Sequence, residues 1–228
     1  MSTQLDFLIQ TWVVEAHDDP SLASKQPYKA IIEKDEAYFH GLITQDPKII
    51  MQLEQAIAHS WTGTTPEAFE AQVRDFFGKI KHPRFDVGYT KLVYQPMLEL
   101  LNLLRANDFR VFVCSGGGRD FMRVISEKVW GIYREDVIGS ASQYAYKDGK
   151  ITRTNTILGG LALGPGKPEH IFARTGRLPI FACGNGDVDI EMLEPAKFAM
   201  LINHDDSDRE YGYTRGAENS LVKAEKLG

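Results

Sequence analysis

Two short apolar runs, each opening onto glycines and then a helical pattern, constrain this chain more than any other feature. Val111-Phe112-Val113-Cys114 leads into Ser115-Gly116-Gly117-Gly118, and Ile180-Phe181-Ala182-Cys183 leads into Gly184-Asn185-Gly186-Asp187-Val188-Asp189. Continuous apolar runs bounded by turn signals read as strands buried on both faces. Strands that alternate with helices demand a parallel sheet with helices packed against it. From residue 90 onward the pattern predicts helix Pro96–Ala106, strand Arg110–Cys114, helix Asp120–Trp130 and strand Val137–Tyr146. An Asp148-Gly149 turn then leads into Ile151–Thr154 as a hairpin. Helix Pro168–Thr175, strand Pro179–Cys183, a short helix near Ile190 and strand Phe198–Ile202 follow, and the polar tail from Asp205 is expected to be loosely ordered.

The first part of the chain has a different period. Leu5, Leu8, Ile9, Trp12, Val13 and Ala16 recur at helical spacing, and Asp18-Asp19-Pro20 ends that helix. Ile49, Leu53, Ile57 and Trp61 form a second stripe. A third helix starts with Thr65 as N-cap, Pro66 in its first position and Glu67 in its first turn, and its stripe is Phe69, Val73, Phe76 and Phe77. Residues 1–88 therefore read as all-helical and residues 89–228 as the α/β part.

Composition bounds the function. A chain of 228 residues with 43% hydrophobic and 25% charged residues is an ordinary globular one. Its net charge of −5 supplies no basic face for nucleic acid. No apolar run is long enough to cross a bilayer and no signal-peptide pattern opens the chain, so the sequence as it stands reads as cytoplasmic, with an export signal upstream of Met1 left open. Cys114 and Cys183 read as small apolar core residues rather than a disulfide, and no Cys/His pair has zinc-ligand spacing.

The chemistry sits where the strands end. Ser115-Gly116-Gly117-Gly118 allows a backbone to approach an anion closely, although a ligand-free strand-to-helix turn has the same form. It is no dinucleotide fingerprint, since the third required glycine is absent. Lys167 follows a glycine-rich stretch but fails as a P-loop lysine, because Leu161 replaces the leading glycine and Pro168 follows the lysine. Asn185, Asp187 and Asp189 crowd acidic and amide oxygens after a strand. They suit either a divalent cation or the cap of the helix through Met192. A hydroxyl, a lysine and a carboxylate cluster together make a site for a phosphoryl group and a cation.

That series resembles the haloacid dehalogenase-like phosphatases, most closely the phosphoserine-phosphatase-like branch with a helical cap. The motif order agrees from Tyr28 to Arg215. The resemblance implies a Rossmann-like α/β parallel-sheet core, residues 89–228, with a helical cap, residues 1–88. It implies Mg²⁺-dependent hydrolysis of a phosphomonoester through an aspartyl-phosphate. Ser115, Gly116 and Gly117 would bind phosphate, and Lys167 would neutralise phosphoryl and nucleophile oxygens. Asn185, Asp187 and Asp189 would hold Mg²⁺, and Lys29, Glu33 and Arg84 in the cap would face the substrate, a small phosphorylated molecule. Asn185 matches a Gly-Asn-Ser-Asp-Gly-Asp form of the metal loop, whereas Val188 replaces its glycine.

The family's Asp-x-Asp-x-Thr nucleophile motif is missing from these 228 residues. Aligning His17-Asp18-Asp19-Pro20-Ser21 with it fails, because helical period rather than a strand precedes that segment. The first core strand is therefore expected to be missing, with hydrolysis lost, and truncation, a wrong start codon and natural degeneration all fit. A non-catalytic anion-binding or interaction module on the same fold is the alternative. The strands ending at Ser115 and Gly184 are expected to pair directly, admit a substitute segment, or take a strand from a partner or a second copy.

Overall fold

The computed structural model describes residues 3–43, 46–208, 212 and 216–227. In chain order the elements are α1 Thr3–Asp18, α2 Tyr28–Ile32, α3 Glu36–Ile43, α4 Pro47–Trp61, α5 Pro66–Lys79 and α6 Gln95–Ala106, then β1 Val113–Gly118. Helices α7 Arg119–Arg123 and α8 Ser126–Trp130 follow, then β2 Val137–Ser140, β3 Ser142–Lys147 and β4 Lys150–Ile157. The series closes with α9 Gly166–Thr175, β5 Phe181–Gly184, α10 Ile190–Leu193, β6 Phe198–Leu201 and α11 Glu218–Leu227. Two compact units result. One comprises residues 1–113, 117–137 and 141–158, the other residues 114–116, 138–140 and 159–228. The units part elsewhere than at residue 88, since residues 89–113 and the β3–β4 hairpin cluster with the helices.

The first unit is built on an aromatic core. Phe7 of α1 stacks on Trp61 with ring centroids 5.5 Å apart and meets Phe69 and Phe76 edge-on. Trp12 and Val73 are fully buried. Burial of one such side chain contributes about 1.5–3 kcal/mol, so the helical stripes are sufficient to explain why these helices pack. Thr65 caps α5 by accepting a hydrogen bond from the Ala68 amide, with Pro66 in the first helical position. Strands β3 and β4 pair antiparallel about Asp148 and Gly149, both at positive φ. Backbone bonds between Arg153 and the Gly63–Thr64 turn tie that hairpin to the junction of α4 and α5.

In the second unit β5 and β6 pair in parallel, Phe181 opposite Phe198 through Gly184 opposite Leu201. Strand β1 pairs with β2, and residues 114–116 of β1 and 138–140 of β2 belong to this unit. The Ser140 hydroxyl donates to the Gly116 carbonyl at 2.8 Å and accepts from the Ala162 amide at 3.0 Å. The chain is thus a mixed α/β protein with parallel strand pairing and helices about it.

Four expectations need correction. Strand β1 starts at Val113 and continues through the three glycines, which were expected to form a turn. Glycine is required at 116, because a Cβ there would come 2.0 Å from Leu163 Cδ2. The helix expected over Asp120–Trp130 is two short helices parted at Val124 and Ile125. Within the tail, Glu218–Leu227 forms the helix α11 of 10 residues; residues 209–211 and 213–215 lie outside the described residues. Finally, β1 and β5 do not pair with each other; each belongs to its own two-stranded sheet.

Candidate functional site

Lys167 stands in the first turn of α9, and only 4% of it is exposed. A buried ammonium is tolerated only when paired and hydrogen-bonded. Here Nζ lies 2.8 Å from Asp189 Oδ1 and donates to the Cys114 carbonyl at 3.1 Å. Cys114 precedes Ser115 in β1, and Asp189 follows β5. The lysine side chain, not a strand, therefore links the backbone near the start of β1 to the loop that follows β5.

Asp189 is 5% exposed and fully engaged. Its Oδ2 accepts the amides of Asn185 and Gly186 at 2.8 and 3.1 Å, which shapes the loop after β5. A Cβ on Gly184 would approach the Asp189 side chain to 2.6 Å, so glycine is needed where strand turns into loop. Asn185 Nδ2 lies 3.2 Å from Nε2 of the buried His204.

Asp187 faces elsewhere. Its Oδ1 accepts from the Ser220 amide at 2.8 Å, and its Oδ2 from Asn219 Nδ2 at 2.8 Å, at the start of α11. Burial pushes its carboxyl upward, but the bonds from Ser220 and Asn219 outweigh this and hold it below the ordinary carboxylate range. Of the two carboxylates that could cap the helix through Met192, Asp189 closes the capping box of the turn leading into it, whereas Asp187 serves the start of α11. The helix it serves lies about thirty residues further along the chain, a pairing that sequence spacing does not signal.

The arrangement does not fit a three-ligand metal centre. Asp187 and Asp189 are committed to different partners, and among the described residues no three His, Cys, Asp or Glu side chains are grouped to hold a metal ion. Cys114 and Cys183 are free thiols. Burial pushes each up to about 11, with Lys167 partly offsetting the effect at Cys114 and Asp189 adding to it at Cys183. At neutral pH both are protonated, and neither is a thiolate nucleophile.

The residues assigned to substrate recognition lie in the first unit. Lys29 and Glu33 form an exposed pair on one face of α2, 3.9 Å apart. Arg84 lies over the Phe85 ring at 5.2 Å. The His17–Ser21 segment ends α1 and enters a 3-10 turn over Pro20–Leu22, in which the Ser21 amide donates to Asp19. A helix precedes it, as its period predicts.

A family model of the haloacid dehalogenase-like hydrolases matches residues 24–194. The chain belongs to that family. Its fold is shared with a crystal structure of a protein of unknown function from Bordetella pertussis Tohama I, 12% identical, which covers 96% of this chain and 88% of its own at a TM-score of 0.57. It is also similar to a phosphoserine phosphohydrolase-like protein from Francisella tularensis subsp. tularensis SCHU S4, at 14% identity, 95% and 91% coverage and a TM-score of 0.48. A probable phosphoserine phosphatase from Vibrio cholerae gives 15% identity, covering 100% of this chain and 65% of its own, with a TM-score of 0.49. No curated protein matches the sequence. Among the described residues no helix is long and apolar enough to cross a membrane.

Proposed function

We propose that this chain recognises the phosphate group of a small phosphomonoester along the Ser115–Gly117 stretch of β1 and does not hydrolyse it at a useful rate. The observation that supports this reading is the buried Lys167 ammonium, held against the backbone beside Ser115. Membership of a hydrolase family supports this reading; on it the substrate class is a phosphomonoester and residues 1–88 are the cap. Ser115, Gly116, Gly117 and Lys167 bind the anion.

Hydrolysis by this family's route needs an Asp carboxylate as nucleophile and a second to protonate the leaving group. No Asp-x-Asp-x-Thr motif stands in these 228 residues. Neither a protonated Cys114 thiol nor Lys167 replaces it. The family generally works with Mg²⁺. Asp189 already uses both oxygens, so a cation bound through it competes with Lys167.

The test is paired. An aryl phosphate with Mg²⁺ is expected to give no turnover above background, while inorganic phosphate shifts the ¹⁵N–¹H resonances of Ser115 to Gly117 saturably. Turnover that survives repurification overturns the loss of catalysis. Turnover abolished by His17→Ala would establish the His17–Ser21 alignment instead. Unmoved resonances at these three residues overturn phosphate recognition.

A further inference from the structure

A second charged cluster lies within the first unit and takes no part in the site above. Asp120, 5% exposed, is surrounded by three guanidiniums. Arg153 Nη1 donates to its Oδ2 at 2.5 Å and Arg123 Nη1 to its Oδ1 at 3.3 Å, while Arg119 Nε stands 3.5 Å from Oδ1. The Tyr144 hydroxyl also donates to Oδ2, at 2.6 Å. Arg153 is fixed further by Ser142 Oγ at 3.1 Å and by the Phe69 ring, 4.3 Å from its guanidinium carbon. Arg123 is oriented by the Arg134 carbonyl at 2.9 Å.

One carboxylate cannot balance three groups that stay charged at any ordinary pH. Two positive charges remain in excess. The strain is visible at Arg123, where burial and then the neighbouring Arg119 lower the affinity for its proton. It is visible also at Arg119, whose buried Nε has no hydrogen-bond partner among the described residues. Solvated surface arginines normally spread apart; these converge on one buried anion. The Arg119 and Arg123 side chains keep 19% and 22% exposure, so a solute can reach them, whereas Arg153 at 6% holds Asp120 from within.

We propose that Arg119 and Arg123, set against the Arg153–Asp120 pair, bind a doubly charged phosphate-type oxyanion. A dianion balances the surplus charge and supplies acceptors for the unused guanidinium donors. This site stands on geometry in the first unit alone, independent of Ser115 and Lys167.

Arginine Nε–Hε cross-peaks in ¹⁵N–¹H spectra of the full chain give the test, with inorganic phosphate as the probe. Phosphate is expected to move the Arg119 and Arg123 cross-peaks saturably, while acetate at matched ionic strength leaves them in place. Arg119→Gln should weaken the phosphate effect at Arg123 by about tenfold or more, and Arg119→Lys by less, because it keeps the charge and loses only the planar fork. The signals are residue-specific, so failure of phosphate binding at Ser115 and Lys167 leaves them moving. Equal shifts with acetate, or none with phosphate, overturn the proposal. If Arg119→Gln does not fold, the wild-type titration and Arg119→Lys decide it alone.

Discussion

Lys167 Nζ and Asp189 Oδ1 lie 2.8 Å apart with both residues at least nine-tenths buried. They are 22 positions apart in sequence, one opening α9 and the other closing the loop after β5. An ion pair this dry contributes little net stability while whole, but breaking it leaves an unpaired buried charge. Asp189→Asn is therefore expected to destabilise the chain by about 3 kcal/mol or more. Lys167→Met combined with Asp189→Asn should recover part of that loss. Urea unfolding of the single and double variants checks both, and a single-variant loss below about 1 kcal/mol contradicts the burial argument.

Asp187 anchors α11 through Asn219 and Ser220. Asp187→Ala is expected to cost about 1 kcal/mol, as for other lost helix caps. The effect should be local: amide hydrogen exchange should speed up across residues 221–226 and leave α5 unchanged. Uniform acceleration through both helices would show that Asp187 supports more than the helix start.

Acid should weaken the fold through Asp120 and Asp187. Burial opposes the ionised form of Asp120, but the Tyr144 hydroxyl and the charges of Arg153, Arg119 and Arg123 outweigh it, so its carboxyl lies below the ordinary range. A depressed carboxyl contributes stability that is present above its unfolded value, about 3.9, and lost as pH falls through the folded value. The urea midpoint is expected to stay level from pH 7 to about 5 and to drop below about 4. A midpoint that rises on acidification would reverse the sign and refute the assignment.

The buried thiols offer a chemical readout. With Cys114 and Cys183 pushed up to about 11 by burial, the thiolate fraction at pH 8 falls roughly a hundredfold below that of a free cysteine. Alkylation by iodoacetamide should accelerate by at least that factor when urea unfolds the chain. A fast-reacting thiol in the folded state would restore a cysteine nucleophile to consideration.

Much of this protein is written locally. The period of Phe69, Val73 and Phe76 and the Thr65-Pro66 start specify α5, because cap and stripe lie within one helix. Asp148-Gly149 specifies the β3–β4 turn by its positive φ angles. The order of Ser115, Lys167 and Asp189 along the chain marks the family, which the match over residues 24–194 bears out. Tertiary structure alone decided the rest. Gly116 to Gly118 join β1 because Ser140 and Leu163, distant in sequence, meet Gly116 there. Asp187 turns to α11 rather than to its neighbours, and Asp120 of α7 gathers Arg153 from β4. A short-range pattern sets which element forms; the partner of a charge is chosen by burial, where each buried charge must find a counter-charge or a hydrogen bond among whatever groups the fold brings near.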